Sequence, residues 1–140
     1  MDGKDLEIIK ALQADARTPF LEIAKKLRMS ESAVRKRVKR LEREGVIERY
    51  TVVVNPSKMG YNSVALVGLD VVPDKYLVIV EALTKLEDVK KVTTSTGDHM
   101  IMVEVWAHDN RELTDIVLQK IGKLEGVTRI CPAIILERIK

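Results

Sequence analysis

The densest chemistry in this chain lies between Ser30 and Gly45, where Ser30, Ser32, Arg35, Lys36, Arg37, Lys39, Arg40 and Arg43 crowd sixteen positions with hydroxyls, guanidinium groups and ammonium groups. Such groups donate hydrogen bonds to phosphate oxygens and to base edges. Their spacing is helical. Val34, Val38 and Leu41 fall on one stripe, and Ser32, Lys36, Lys39 and Arg43 fall on the opposite one, flanked by Arg35 and Arg40. Ser30 is a good N-cap, Glu31 suits the positive end of the helix dipole, and Gly45 can take the left-handed conformation that ends a helix. A capped helix, apolar on one side and cationic on the other, fits the major groove of double-stranded DNA. Taken singly, Arg35 or Arg37 is also suited to pair with Glu31 or to pack on its own domain.

Other reactive residue types are sparse. His99 and His108 show no ligand spacing with the single Cys131, so no metal is expected, and nothing resembles a nucleophile-base pair, a phosphate-binding glycine loop or a dinucleotide fingerprint. No cofactor and no enzymatic activity are expected. Cys131 suits a small buried position and Trp106 an interface.

The cationic helix must be positioned by its neighbours. Leu6, Ile9, Leu12 and Ala16 predict a first helix over residues 2–16. Thr18 and Pro19 predict a second, with Thr18 as cap and Pro19 in its first turn; it runs through Ile23, Ala24 and Leu27. A very short turn then leads into Ser30, which is helix-turn-helix geometry. The β-branched run Val46 to Val54 reads as a strand or wing.

Residues 1–50 are therefore expected to form a DNA-binding domain, 51–62 a linker around Pro56 and Gly60, and 63–140 a second domain. Charge follows this division: residues 1–50 hold 13 Lys and Arg against 9 Asp and Glu, whereas residues 51–140 hold 11 against 12. The second domain reads as strand 63–72, helix 73–86, strand 89–95, strand 99–107, helix 110–124 and strand 127–138. This βαββαβ order predicts an antiparallel sheet with both helices on one face, so the fold class is α+β. Pro132 places its strand at an edge or bulge. The helix-free face predicts association with a second copy. No apolar run is long enough to span a membrane and no leader precedes the first helix, so a cytoplasmic protein is expected.

Asp15-Ala16-Arg17, Glu22-Ile23-Ala24, Ser30, Val34, Arg37-Val38, Leu41, Gly45-Val46-Ile47 and Tyr50 resemble the DNA-binding domain of Lrp/AsnC ("feast/famine") transcriptional regulators, and the βαββαβ half agrees. The resemblance implies a winged helix-turn-helix followed by a ferredoxin-like domain that senses amino acids and assembles dimers, often octamers. It places Ser32, Ala33, Arg35, Lys36 and Arg37 at base edges, and Lys39, Arg40, Arg43, Arg17 and Thr18 at phosphates. The family's Gly-Asp-Tyr-Asp effector turn corresponds to Gly97-Asp98-His99-Met100, where the second carboxylate is lost; Gly97-Asp98 suits a plain hairpin turn equally well. Siroheme decarboxylases resemble the same family, so a tetrapyrrole enzyme is the alternative; the cationic helix argues against it.

Overall fold

Helices α1 (Gly3–Ala14), α2 (Phe20–Leu27) and α3 (Glu31–Arg43) form the first of two units, Met1–Val53, in a computed structural model that describes residues 1–140. Asp2 opens α1 with a reciprocal capping box, its carboxylate accepting from Asp5 N–H while the Asp5 carboxylate accepts from Asp2 N–H. Ile8, Ile23, Ala24, Val34 and Val38 form the core. Ala24 is small enough to let α2 and α3 approach closely.

The turn between these helices is tight because Arg28 sits at φ 53°, a left-handed conformation unusual for a residue with a Cβ, and Met29 N–H returns to Ala24 O at 3.0 Å. Ser30 caps α3 as expected, accepting from Ala33 N–H at 3.1 Å. Gly45 ends it at φ 71°, with Val46 N–H bonded to Leu41 O and Gly45 N–H to Glu42 O, a Schellman closure.

Two expectations for this unit fail. Thr18 does not cap α2: its hydroxyl donates back to Asp15 O at 2.8 Å, and Pro19 occupies the cap position without a side-chain bond. Residues 46–54 form no strand or wing. Their β-branched side chains favour extended backbone, yet a strand also needs a partner for its ladder, and three helices supply none. The segment is instead tied to α3 where Tyr50 donates to Glu42 at 2.6 Å; burial and that carboxylate push the phenol up to about 12. Beyond it, Val52 and Val53 are exposed.

The second unit, Val54–Lys140, begins with a 3₁₀ turn, Pro56–Met59, capped by Asn55 and ended by Gly60. Its strands are β1 (Ser63–Val71), β2 (Val89–Thr94), β3 (Ile101–Ala107) and β4 (Val127–Ile134). A short 3₁₀ turn at Pro73–Lys75 leads into α4 (Tyr76–Thr84). Helix α5 (Asn110–Asp115) continues as a π-helical turn over Ile116–Ile121, so the second helix stops short of the expected Leu124. The sheet is antiparallel in the order β2-β3-β1-β4, the ferredoxin-like arrangement.

Alternation divides the sheet into two faces. Ala65, Val67, Leu69, Ile101, Val103 and Val105 pack under Ile79 and Leu83 of α4 and under Leu113, Ile116 and Ile121 of the second helix. The other face carries no helix and presents Leu66, Gly68, Asp70, Met102, Glu104, Trp106, Arg129 and Cys131. Pro132 lies on edge strand β4, where it faces only β1. Glu104 is 5% exposed, receives a hydrogen bond from Trp106 Nε1 at 2.8 Å, and has Lys91 and Arg138 nearby at 3.4 Å each. Its charge interrupts an otherwise apolar strand because these three donors answer it.

Candidate nucleic-acid interface and effector turn

Helix α3 presents its solvent side as a shallow groove of about 640 Å³ lined by Ser32, Ala33, Arg35, Lys36, Arg37, Lys39, Arg40 and Arg43. All eight are residues expected from the sequence. They do not share one environment. Lys36, Lys39 and Arg43 are exposed and have no hydrogen-bonding or ionic partner in the protein. Arg35 is half exposed: Glu31 accepts from it at 2.7 Å, and its guanidinium lies 5.3 Å from the centre of the Phe20 ring.

Arg37 and Arg40 are committed inward. Arg37 donates to Asp2 at 2.7 Å and to Asp5 at 2.8 Å, and Arg40 donates to Asp5 at 2.6 Å. The Asp5 side chain is only 1% exposed. Burial alone would raise its pKa, but the Asp2 N–H, Arg37 and the charge of Arg40 outweigh that and lower it. The Arg37 hydrogen bond, with the Asp5 N–H, holds the Asp2 carboxyl down to about 2. These arginines therefore fasten α3 to α1, with less of their charge free to face a ligand.

Ser30 spends its hydroxyl on the cap, and the Ser32 hydroxyl lies 3.1 Å from it. Arg17 and Thr18 sit in the turn before α2, outside the groove lining; Arg17 is exposed and Thr18 is turned back toward Asp15. Asp2, Asp5 and Phe20 were not foreseen as parts of this site, whereas Glu31 was named as a partner suited to Arg35 or Arg37 and pairs with Arg35. The Asp-x-x-Asp spacing of a capping box was a visible signal for the first two, though not for their arginine partners.

The turn from Ser95 to Met100 joins β2 to β3. Gly97 takes φ 106°, and Ser95 Oγ donates to His99 O at 2.6 Å. His99 and Met100 belong to this turn rather than to the expected start of β3. The His99 ring folds over Gly68 on the helix-free face; a Cβ at Gly68 would lie 2.3 Å from it, so only glycine leaves the room. His99 lies between Asp70, at 3.4 Å, and Asp98, at 3.6 Å, while Arg129 approaches Asp98 at 3.4 Å and Asp70 at 3.7 Å. Met100 contributes its backbone N–H to Leu69 O at 3.1 Å. Gly68, Asp70 and Arg129 are additions to the four turn residues named from the sequence. Strand register brings them there, and register is not readable from their residue types.

Two family descriptions match the chain: the AsnC-type helix-turn-helix domain over residues 1–42, and the Lrp/AsnC ligand binding domain over residues 64–140. The HTH-type transcriptional regulator LrpA of Pyrococcus horikoshii is 53% identical over 140 residues, covering 100% of this chain and 99% of its own. Among solved structures, Escherichia coli AsnC superimposes with a TM-score of 0.89 at 24% identity, covering 100% of this chain and 95% of its own. The transcriptional regulator NMB0573 of Neisseria meningitidis, solved as an L-Met complex, superimposes at 0.91 with 21% identity, covering 100% and 92%. At those identities the two structures establish the fold alone. The curated relatives carry regulator names, and nothing in the comparisons supports tetrapyrrole chemistry. With both domains matched in order and a full-length relative above half identity, the chain belongs to the Lrp/AsnC family of helix-turn-helix transcriptional regulators.

Proposed function

We propose that this regulator binds pseudo-palindromic promoter DNA as a dimer or higher assembly, with one α3 in the major groove of each half-site. The observation that carries this reading is the set Lys36, Lys39 and Arg43: three exposed cations on one helix face that no carboxylate of the protein engages. Lys39 and Arg43 hold phosphates, Arg17 adds a contact at the start of α2, and the residues of the first half of α3 approach bases. Residues 1–50 form the DNA-binding domain, 51–62 the connector and 63–140 the assembly and effector domain. The helix-free sheet face joins two copies, and symmetric recognition helices then meet grooves one turn apart, ~34 Å. No helix is long and apolar enough to cross a membrane, and a regulator of this type works beside the chromosome, in the cytoplasm.

For an effector, the turn Gly97-Asp98-His99-Met100 offers the Asp98 carboxylate, 79% exposed, to an ammonium group. An amino acid is the class that fits, as in the L-Met complex of the Neisseria protein. Selection of bound sites from random duplexes, with and without a panel of free amino acids, tests both parts.

Replacing Lys39 and Arg43 by Ala is expected to weaken binding to all sequences and to lower the salt slope by roughly 0.9 per lost phosphate contact. Titrations at several salt concentrations read this. If a variant also lacking Lys36 bound promoter DNA as tightly as the parent, α3 would not be the DNA-binding element.

A further inference from the structure

We propose that Arg35 is the side chain through which α3 distinguishes bases, reading a guanine in each half-site, and that Phe20 and Glu31 are positioning residues that aim it. This rests on the DNA-binding reading above. Four arginines lie on α3, and the structure separates their roles. Arg37 and Arg40 are bound to the buried Asp5 carboxylate. Arg43 lies at the C-terminal end of the helix, where backbone phosphates are the nearer target. Arg35 lies in the first half and keeps 52% of its side chain exposed.

It is also restrained before any DNA arrives. Glu31, one helical turn back, accepts from one terminal nitrogen at 2.7 Å, and the Phe20 ring covers the guanidinium at 5.3 Å. One acceptor occupies a small part of a group with five N–H donors, so other donors remain available. A long side chain already restrained gives up less rotamer freedom on binding. In the major groove guanine presents O6 and N7 side by side, two acceptors that match a donor-only fork, whereas adenine offers one acceptor beside one donor. Neighbouring Lys36 is a point charge on a flexible stem with nothing to fix it, better suited to a phosphate than to a planar base edge. Phe20 is the first residue of α2, so α2 contributes to base choice without touching a base.

The test uses the full chain and its Arg35→Lys, Glu31→Gln and Phe20→Leu variants. Each is challenged with random duplexes, and its affinity is then measured for the parent's selected site and for that site with the candidate guanine replaced. Thermal unfolding confirms that each variant folds. The parent should select one constant guanine per half-site. Arg35→Lys keeps the charge and should bind unselected DNA within about two-fold of the parent, while its guanine preference falls by roughly ten-fold or more, the size of one bidentate pair. Glu31→Gln and Phe20→Leu should each lose part of that preference, with Glu31→Gln binding unselected DNA more tightly because a negative charge is gone. An unchanged guanine preference in Arg35→Lys overturns the assignment. Full preference in both Glu31→Gln and Phe20→Leu overturns the positioning role. Failure of the parent to retain any DNA at low salt would instead overturn the DNA-binding reading on which this rests.

Discussion

A carboxylate with 1% of its side chain exposed needs donors to offset its lost hydration, and Asp5 finds them in Asp2 N–H, Arg37 and Arg40. The consequence for DNA binding is a division of labour that residue type alone conceals. Six cations lie on α3, and two of them serve the fold more than the ligand. Arg40 reads from the sequence as groove-facing because the wheel places it at the margin of the cationic face, and Arg37 because the family resemblance sets it among the base-edge residues. Their partners lie 32 to 35 residues away and become neighbours only when α1 crosses α3. Acid should expose this arrangement. Asp2 sits at about 2 in the folded protein, below its usual 3.8, so its ionisation favours the fold above the latter value. That contribution is lost as pH falls from 3.8 toward 2, and the lowered Asp5 acts in the same direction. An Asp2→Asn variant should therefore melt below the parent near pH 5, roughly where the carboxylate is charged, and the gap should close as pH approaches about 2. Thermal melts of both proteins across this range check it; because Asn keeps the N-cap acceptor, a gap that persists in strong acid would show that the loss does not come from the Asp2 charge.

At the scale of elements, the helix-turn-helix was legible because three physical signals agree. The apolar period, the Ser30 cap and the Gly45 stop all mark the same helix, and the structure places its ends within a residue of the expected ones. The βαββαβ order was legible for the same reason, and Pro132 on an edge strand shows a backbone rule surviving into the fold. Where signals were single, the reading failed. The run from Val46 to Val54 had β propensity but no partner, and Thr18 was a capping residue type with a nearer acceptor in Asp15. The left-handed Arg28 was not legible at all, since no glycine or asparagine marks the turn. It is strained there, because an L-residue in that conformation costs roughly 1–2 kcal/mol. Arg28→Gly relieves that strain and gives back part of the gain as chain entropy in the unfolded state. A net stabilisation of about 0.5–1 kcal/mol is expected, measured as a rise in the denaturant midpoint at unchanged slope. A fall would mean that the Arg28 side chain contributes more than its backbone conformation costs.

For the whole molecule, the proposed pairing surface is the sheet face that no helix covers. Leu66, in the middle of β1, is 41% exposed there between Glu104 and Ala133 of the flanking strands. A glutamate at this position faces Glu104 across the strands in the isolated chain too, but there it meets solvent and Lys91 and Arg138 lie beside Glu104, so the sheet should still form; buried against a second copy, the two carboxylates and their symmetry mates would lose that solvent. Leu66→Glu should accordingly sediment as a smaller species than the parent while keeping its far-ultraviolet spectrum. The effect on DNA follows from the arithmetic of linked sites. Two recognition helices held in one particle make the second half-site contact intramolecular, a gain of about 10²–10⁴ in apparent affinity. Separated protomers lose that gain on a two-half-site operator and lose almost nothing on a single half-site. The measured signature is therefore a fall of roughly 10²-fold or more on the full operator, with parent-like affinity for the isolated half-site. A Leu66→Glu protein that stays assembled and binds the operator like its parent would place the pairing surface elsewhere on the molecule.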